Sequence, residues 1–130
     1  MTRLSFAPLL LLILTLQPAV ALHAFVISEI HYNPASDNNT LEFIEITNNT
    51  LTPEDLSGHN IVEGVAFSFP QGTILDAHGI LVICANEDAV RTLYGIENTI
   101  GDFSGRLDGN GERITFVNQV GVPVSSMAYR

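Results

Sequence analysis

Turn-forming residues cut the chain into short segments from Phe25 onward, and this punctuation limits the fold more than any other feature. A strand rises about 3.3 Å per residue, so five or six residues already cross a sheet. An isolated helix needs a much longer amphipathic stretch to be stable. Segments this short, rich in β-branched and aromatic residues, fit strands and little else. Phe25 to Tyr32 is the first, with Val26, Ser28, Ile30 and Tyr32 expected on one face. The run from Asn33 to Asn39 breaks it, and Leu41 to Thr47 is the second, alternating Leu41, Phe43 and Glu45 against Glu42, Ile44 and Ile46. Ile61-Val62 and Ala66 to Phe69 are shorter candidates, Thr73-Ile74-Leu75 leads to the turn Asp76 to Gly79, and Ile80 to Ala85 reads as a strand buried on both faces.

One helix is expected among them. Asn86 is a good N-cap, Glu87 and Asp88 place negative charge at the helix start, and Gly95 suits the C-terminal cap. Val90, Leu93 and Tyr94 form its apolar stripe. Two hairpins follow: one in which Asp108-Gly109-Asn110-Gly111 joins Arg106-Leu107 to Glu112–Val117, and one in which Asn118 to Gly121 leads into the run from Val122 to Tyr129. Pro123 places that last run at a sheet edge or a strand start. The sum is an all-β, antiparallel two-sheet sandwich with one short helix. Phe43, Ile44, Ile46, Val82, Ile114 and Phe116 are its expected core.

The first residues have a different character. Arg3, the apolar run Leu9 to Leu16, and Ala19-Val20-Ala21 follow the order of a secretory signal peptide, with cleavage expected after Ala21. The run is too short for a helix to cross a hydrocarbon core of about 30 Å. The chain therefore reads as a signal peptide, residues 1–21, and one domain, residues 22–130, with no transmembrane segment after cleavage and a secreted, periplasmic or cell-surface destination. The formal net charge is −9, and one of the five basic residues, Arg3, belongs to the leader. So acidic a domain repels phosphate backbones and anionic lipid, which excludes nucleic acid as an expected partner. A single cysteine, Cys84, rules out an internal disulfide, and its apolar setting makes a structural role the expectation.

The order of motifs resembles the lamin-tail domain family. The matching pieces are Val26-Ile27-Ser28-Glu29-Ile30 with Tyr32-Asn33-Pro34, Glu42-Phe43-Ile44-Glu45-Ile46-Thr47-Asn48, and Asp55-Leu56-Ser57-Gly58. Phe67-Ser68-Phe69-Pro70 with Gly72-Thr73, Gly79-Ile80-Leu81-Val82, Ser104-Gly105-Arg106-Leu107 and Asn110-Gly111-Glu112-Arg113-Ile114 complete the series. The resemblance implies an immunoglobulin-like sandwich, used by bacterial members as an accessory module of exported proteins, and it brings no catalytic residues. His59 stands where the family commonly has Trp, which implies a smaller contact there. Family members usually continue beyond the position of Tyr129, so a truncated module is a further expectation.

Few residues offer chemistry. Asp108, Asn110 and Glu112 alternate oxygen ligands as a calcium loop does at its opening, but without its sixth-position glycine or twelfth-position glutamate, and a plain hairpin turn is the favoured explanation of the same residues. Glu29 and His31 share a strand face and could supply two ligands of a metal site, although exposed polar residues of a strand are the simpler explanation. His59 and His78 fall in expected turns and match no zinc spacing. Glu42 and Glu45 point to opposite faces and make no acid–base pair. Asn38-Asn39-Thr40 and Asn48-Asn49-Thr50 fit the glycosylation sequon, but their turn role suffices, with Asn48 expected to bind the backbone that follows its strand. No catalytic residue and no cofactor are expected. The leading function is an exported structural or binding module with an unidentified protein or cell-surface partner. The rivals are a small metal-dependent hydrolase built on Glu29, His31 and an acidic loop, and a truncated remnant without a role of its own.

Overall fold

The computed structural model describes residues 24–35 and 37–130; the leader and its cleavage point lie outside the described residues. Eleven strands and one α-helix are laid out in the order β1 (Phe25–His31), β2 (Phe43–Asn48), β3 (Glu54–Asp55), β4 (Asn60–Glu63), β5 (Val65–Ser68), β6 (Ile74–Leu75), β7 (Ile80–Cys84), α1 (Glu87–Tyr94), β8 (Thr99–Gly101), β9 (Ser104–Gly105), β10 (Arg113–Val117) and β11 (Pro123–Ala128). A four-stranded sheet β1-β2-β7-β8 faces a five-stranded sheet β11-β10-β4-β5-β9, and β3 and β6 form a small pair beside them.

Alternation builds the core between the two sheets. Phe25, Ile27, Ile44, Ile46 and Ile83 come from one side, and Ile61, Val65, Ile114 and Phe116 from the other, all buried. Each such side chain stabilises the fold by roughly 1.5–3 kcal/mol. All six expected core residues are buried. Phe43 and Val82, however, lie on the outer face of their sheet, in a second cluster with Cys84 and Val90 beneath the helix. That second layer explains why β7 carries apolar residues on both faces from Val82 to Cys84, while Ile80 at its start remains exposed.

Several expectations need correction. A bulge between Ile27 and Glu29 shifts the β1 register against β2. Phe25 and Ile27 therefore face the core before the bulge, and Ile30 and Tyr32 after it, in place of a single Val26-Ser28-Ile30-Tyr32 face. The second strand begins at Phe43, since Asn39–Leu41 forms a 3-10 turn. In α1, capped by Asn86 and by Gly95 at φ 68°, only Val90 of the expected stripe is buried and Leu93 is 60% exposed. Tyr94, 40% exposed, still packs its ring against Phe43 and His31, so the helix docks through Val90 and Tyr94.

Two pairings were not foreseeable from turn chemistry. β8 lies parallel to β7, with α1 in the crossover between them. The expected hairpin around Asp108 does not form: β9 pairs with β5, whereas β10 pairs with β4 and β11. The second hairpin does form, with the Asn118 carboxamide oxygen accepting from the Val120 and Val122 N–H groups. Its strand β11, begun by Pro123, is a sheet edge. β11 and β1 are the neighbouring edges of the two sheets, joined where the Ile27 N–H donates to Ser125 Oγ at 3.0 Å. Tyr32 donates to the Arg130 carbonyl at 2.8 Å beside its ring contact with Tyr129.

Candidate functional site

A polar cavity of about 340 Å³ opens where the loop after β1 and the loop before β10 meet at the start of β2. Local chemistry builds each wall. Asn33-Pro34 ends β1, and the Pro34 carbonyl accepts the Asp37 N–H at 3.0 Å. Asp37 takes φ 49°, a left-handed conformation that Asp tolerates better than most residues. The Asn38 carboxamide oxygen caps the 3-10 turn, accepting from the Thr40 N–H and hydroxyl. Leu41 is buried at its end, which fixes the direction in which the chain enters β2.

The opposite wall is tied as firmly. Leu107 is 1% exposed and anchors its loop in the main core. Asp108 Oδ1 accepts from the Asn110 N–H and side-chain amide, and the Gly111 N–H closes the turn on the Asp108 carbonyl. Glu112 Oε1 accepts both the Asp108 N–H at 3.0 Å and the Tyr129 hydroxyl at 2.9 Å. Burial, with the Glu112 carboxylate as acceptor and neighbouring charge, pushes the Tyr129 hydroxyl far up from its ordinary value.

Between these walls lies Glu42, 1% exposed, on the same face of β2 as Ile44, Ile46 and Asn48. Its Oε2 accepts the Leu107 N–H at 2.9 Å. Its Oε1 has no hydrogen-bond partner among the described residues, and the side chain lines the cavity. Burial raises its carboxyl above the usual range; the Leu107 N–H and the Arg106 guanidinium pull the other way, and the Glu112 charge adds to the rise. Asp37, Asn39, Arg106, Asp108 and Asn110 surround it. The arrangement offers hydrogen-bond donors and acceptors around one shielded carboxyl.

Of the sequence-derived candidates, Asp108 and Asn110 line this cavity, while Glu112 lies behind the wall, holding Tyr129 and the Asp108 backbone. No three His, Cys, Asp or Glu side chains among the described residues converge at metal-ligating distances. Glu29 stands opposite Glu45 across the β1–β2 ladder. His31 stacks on Phe43 at 4.7 Å and meets the Tyr94 hydroxyl at 3.2 Å, so its ring covers the small core under α1. His78 occupies a turn at φ 56°. His59 is not a turn residue on the surface: it is buried between Phe25 and Phe116, and its Nδ1 has no hydrogen-bond partner among the described residues. Cys84 is buried, and burial pushes its thiol up to about 12, the opposite of what a nucleophile needs.

Asn48 has the backbone role expected of it. Its side-chain amide donates to the carbonyls of Thr52, Leu75 and Asp76, and its oxygen accepts from the Thr50 N–H and hydroxyl. Glu42 and the residues Asp37, Asn39 and Arg106 were missed. The signal was present for Glu42 alone: it falls in phase with Ile44 and Ile46, so alternation already puts a carboxyl on the buried face.

A comparison with curated proteins finds no match. The lamin tail domain model matches residues 19–130, a stretch that includes both facing sheets and their edge strands. The chain belongs to the lamin tail domain family, with an immunoglobulin-like β-sandwich fold.

Proposed function

We propose that this lamin tail domain is an exported, non-catalytic module that serves a larger secreted or surface protein as a structural or binding element. The observation that carries this reading is how the reactive side chains are employed. The Cys84 thiol is buried and held protonated, the His31 ring packs on Phe43 and Tyr94, and the Glu112 carboxylate latches Tyr129 to the Asp108 loop. Each supports the frame at the cost of reactivity. What the frame leaves outward is recognition surface: the edge strand β11 and the loops around the Glu42 cavity. The order of charge, apolar run and small residues before Leu22 supports export.

Expression of the full chain in a bacterial host, followed by fractionation and intact-mass measurement, tests both halves. The expected product begins at Leu22, lies outside the cytoplasm, melts cooperatively, and turns over no ester, phosphate or glycoside substrate with or without added zinc. Uncut protein in the cytoplasm overturns the export half; metal-dependent hydrolysis by the purified protein overturns the other.

A further inference from the structure

We infer that the Glu42 cavity is a carbohydrate site that takes a neutral sugar through adjacent hydroxyl groups. The inference rests on the binding-module reading above and names the partner chemistry for it. A sugar hydroxyl donates one hydrogen bond and accepts others, so a site for it must offer donors and acceptors side by side. The cavity does. Arg106 and the Asn39 carboxamide supply N–H donors, and Asp37, Asp108 and Glu42 supply carboxylate acceptors.

The fold uses only part of this capacity: Asp108 Oδ1 accepts from Asn110 and Glu42 Oε2 accepts from the Leu107 N–H. Among the described residues the one salt bridge is Arg91 with Glu87, so Arg106 stands beside three carboxyls without an ion-pair contact to any of them. Glu42 carries the argument furthest. It is almost wholly buried, yet one carboxyl oxygen lacks a hydrogen bond to any described residue. That oxygen is not sealed away either, since the one fully shielded side-chain polar atom without a partner among the described residues is His59 Nδ1. Buried carboxyl oxygens are ordinarily satisfied, and one left open toward a cavity is a place for a ligand hydroxyl.

Size and shape agree. A volume of about 340 Å³ holds one or two sugar rings, near the lower bound of ligand pockets. Tyr32 lines the cavity and is held by its bond to the Arg130 carbonyl and its ring contact with Tyr129, so the wall includes one aromatic residue beside the polar groups. Other ligand classes fit less well. A phosphate or carboxylate would face Asp37, Asp108 and Glu42 with one arginine to offset them. A calcium ion needs six to eight converging oxygens, and Arg106 opposes any cation. An apolar group meets too little carbon surface.

Amide chemical shifts of the purified, isotope-labelled protein test this directly. The probes are the methyl glycosides of glucose, galactose, mannose and N-acetylglucosamine, each at tens of millimolar, a range that detects millimolar affinity. At least one should give saturable shifts confined to the Tyr32–Asn39 loop, Glu42 and Arg106–Asn110. Arg106→Ala and Asn39→Ala, both at exposed positions, should each weaken that binding by about tenfold or more while leaving the melting temperature unchanged. The inference is overturned if no glycoside gives saturable shifts, if the shifts survive both substitutions, or if calcium alone produces them. A correctly exported, inactive protein that ignores all four sugars sinks this site and leaves the module reading standing.

Discussion

The two ends of β2 each bury a polar side chain on the core face, and the two are treated in opposite ways. At the C-terminal end Asn48 is fully enclosed and makes five hydrogen bonds, holding the Thr50–Thr52 turn against the Leu75-Asp76 backbone. At the N-terminal end Glu42 is as deeply buried but accepts one hydrogen bond from the described residues, with its other oxygen toward a cavity. A neutral amide that donates and accepts can satisfy itself entirely within a protein; an ionised carboxylate can only accept, and here it has one donor. Burial alone therefore says nothing about role. The state of the hydrogen bonds separates a polar residue that organises the fold from one held ready for something else.

The sharpest test of that contrast is removal of each side chain. Asn48→Ala removes five hydrogen bonds, among them the buried one to the Leu75 carbonyl, and opens a void, so a loss of about 3 kcal/mol or more in urea denaturation is expected. Glu42→Ala, at the same depth, should cost about 1 kcal/mol or less, because losing one acceptor is offset by relief of a buried charge. Equal losses would erase the distinction. Next in size is Leu107→Ala, expected to lower stability by about 2–3 kcal/mol through a core cavity and to loosen the N–H that holds Glu42.

His59 extends the comparison to a third buried polar group, this one with an orphaned nitrogen among the aromatic rings. His59→Phe should raise stability by about 1 kcal/mol, measured as a higher melting temperature. A loss instead would mean that the imidazole holds something that the aromatic packing conceals. The smallest expected effect concerns Glu42 and pH. Its folded carboxyl keeps a proton to higher pH than the unfolded one, so the folded state binds more protons in that interval, and stability falls as pH rises above the ordinary value of 4.5. Glu42→Gln keeps an acceptor for the Leu107 N–H and removes the titration. Denaturation midpoints from weakly acidic to neutral pH should show a shallower decline in this variant than in the parent.

Which parts were legible in the sequence follows from the range of the interactions involved. The longer strands, the helix caps at Asn86 and Gly95, the β10–β11 turn and the inward direction of Asn48 depend on residues close in sequence, and reading them needs only alternation and turn chemistry, whereas the short β3, β8 and β9 carry no such pattern. The bulge near Ser28 was hidden because Val26 and Ile30 kept the apolar alternation while the register moved beneath it. The hairpin expected at Asp108 failed because Asp-Gly-Asn-Gly fits a turn in any context, and whether its flanks pair depends on β4 and β5, which are distant in sequence. The cavity was the least legible part. Its walls meet only when the Asp37 and Arg106 loops are brought to one end of the sandwich, and neither loop carries a recognisable pattern alone.

The neighbouring edges of the two sheets have a mechanical consequence. Ile27 meets Ser125, and farther along Tyr32 meets Tyr129 and Arg130, so the first and last strands run side by side in the same sense. Ala24 and Arg130 consequently emerge at opposite poles, separated by roughly 20 Å of strand. Tension applied through those two points would drag β1 and β11 past each other lengthwise, so their side-chain links would all be loaded together. A tether attached in this manner resists more force than one that unzips link by link, and anything joined to the two poles is held apart by a rigid spacer.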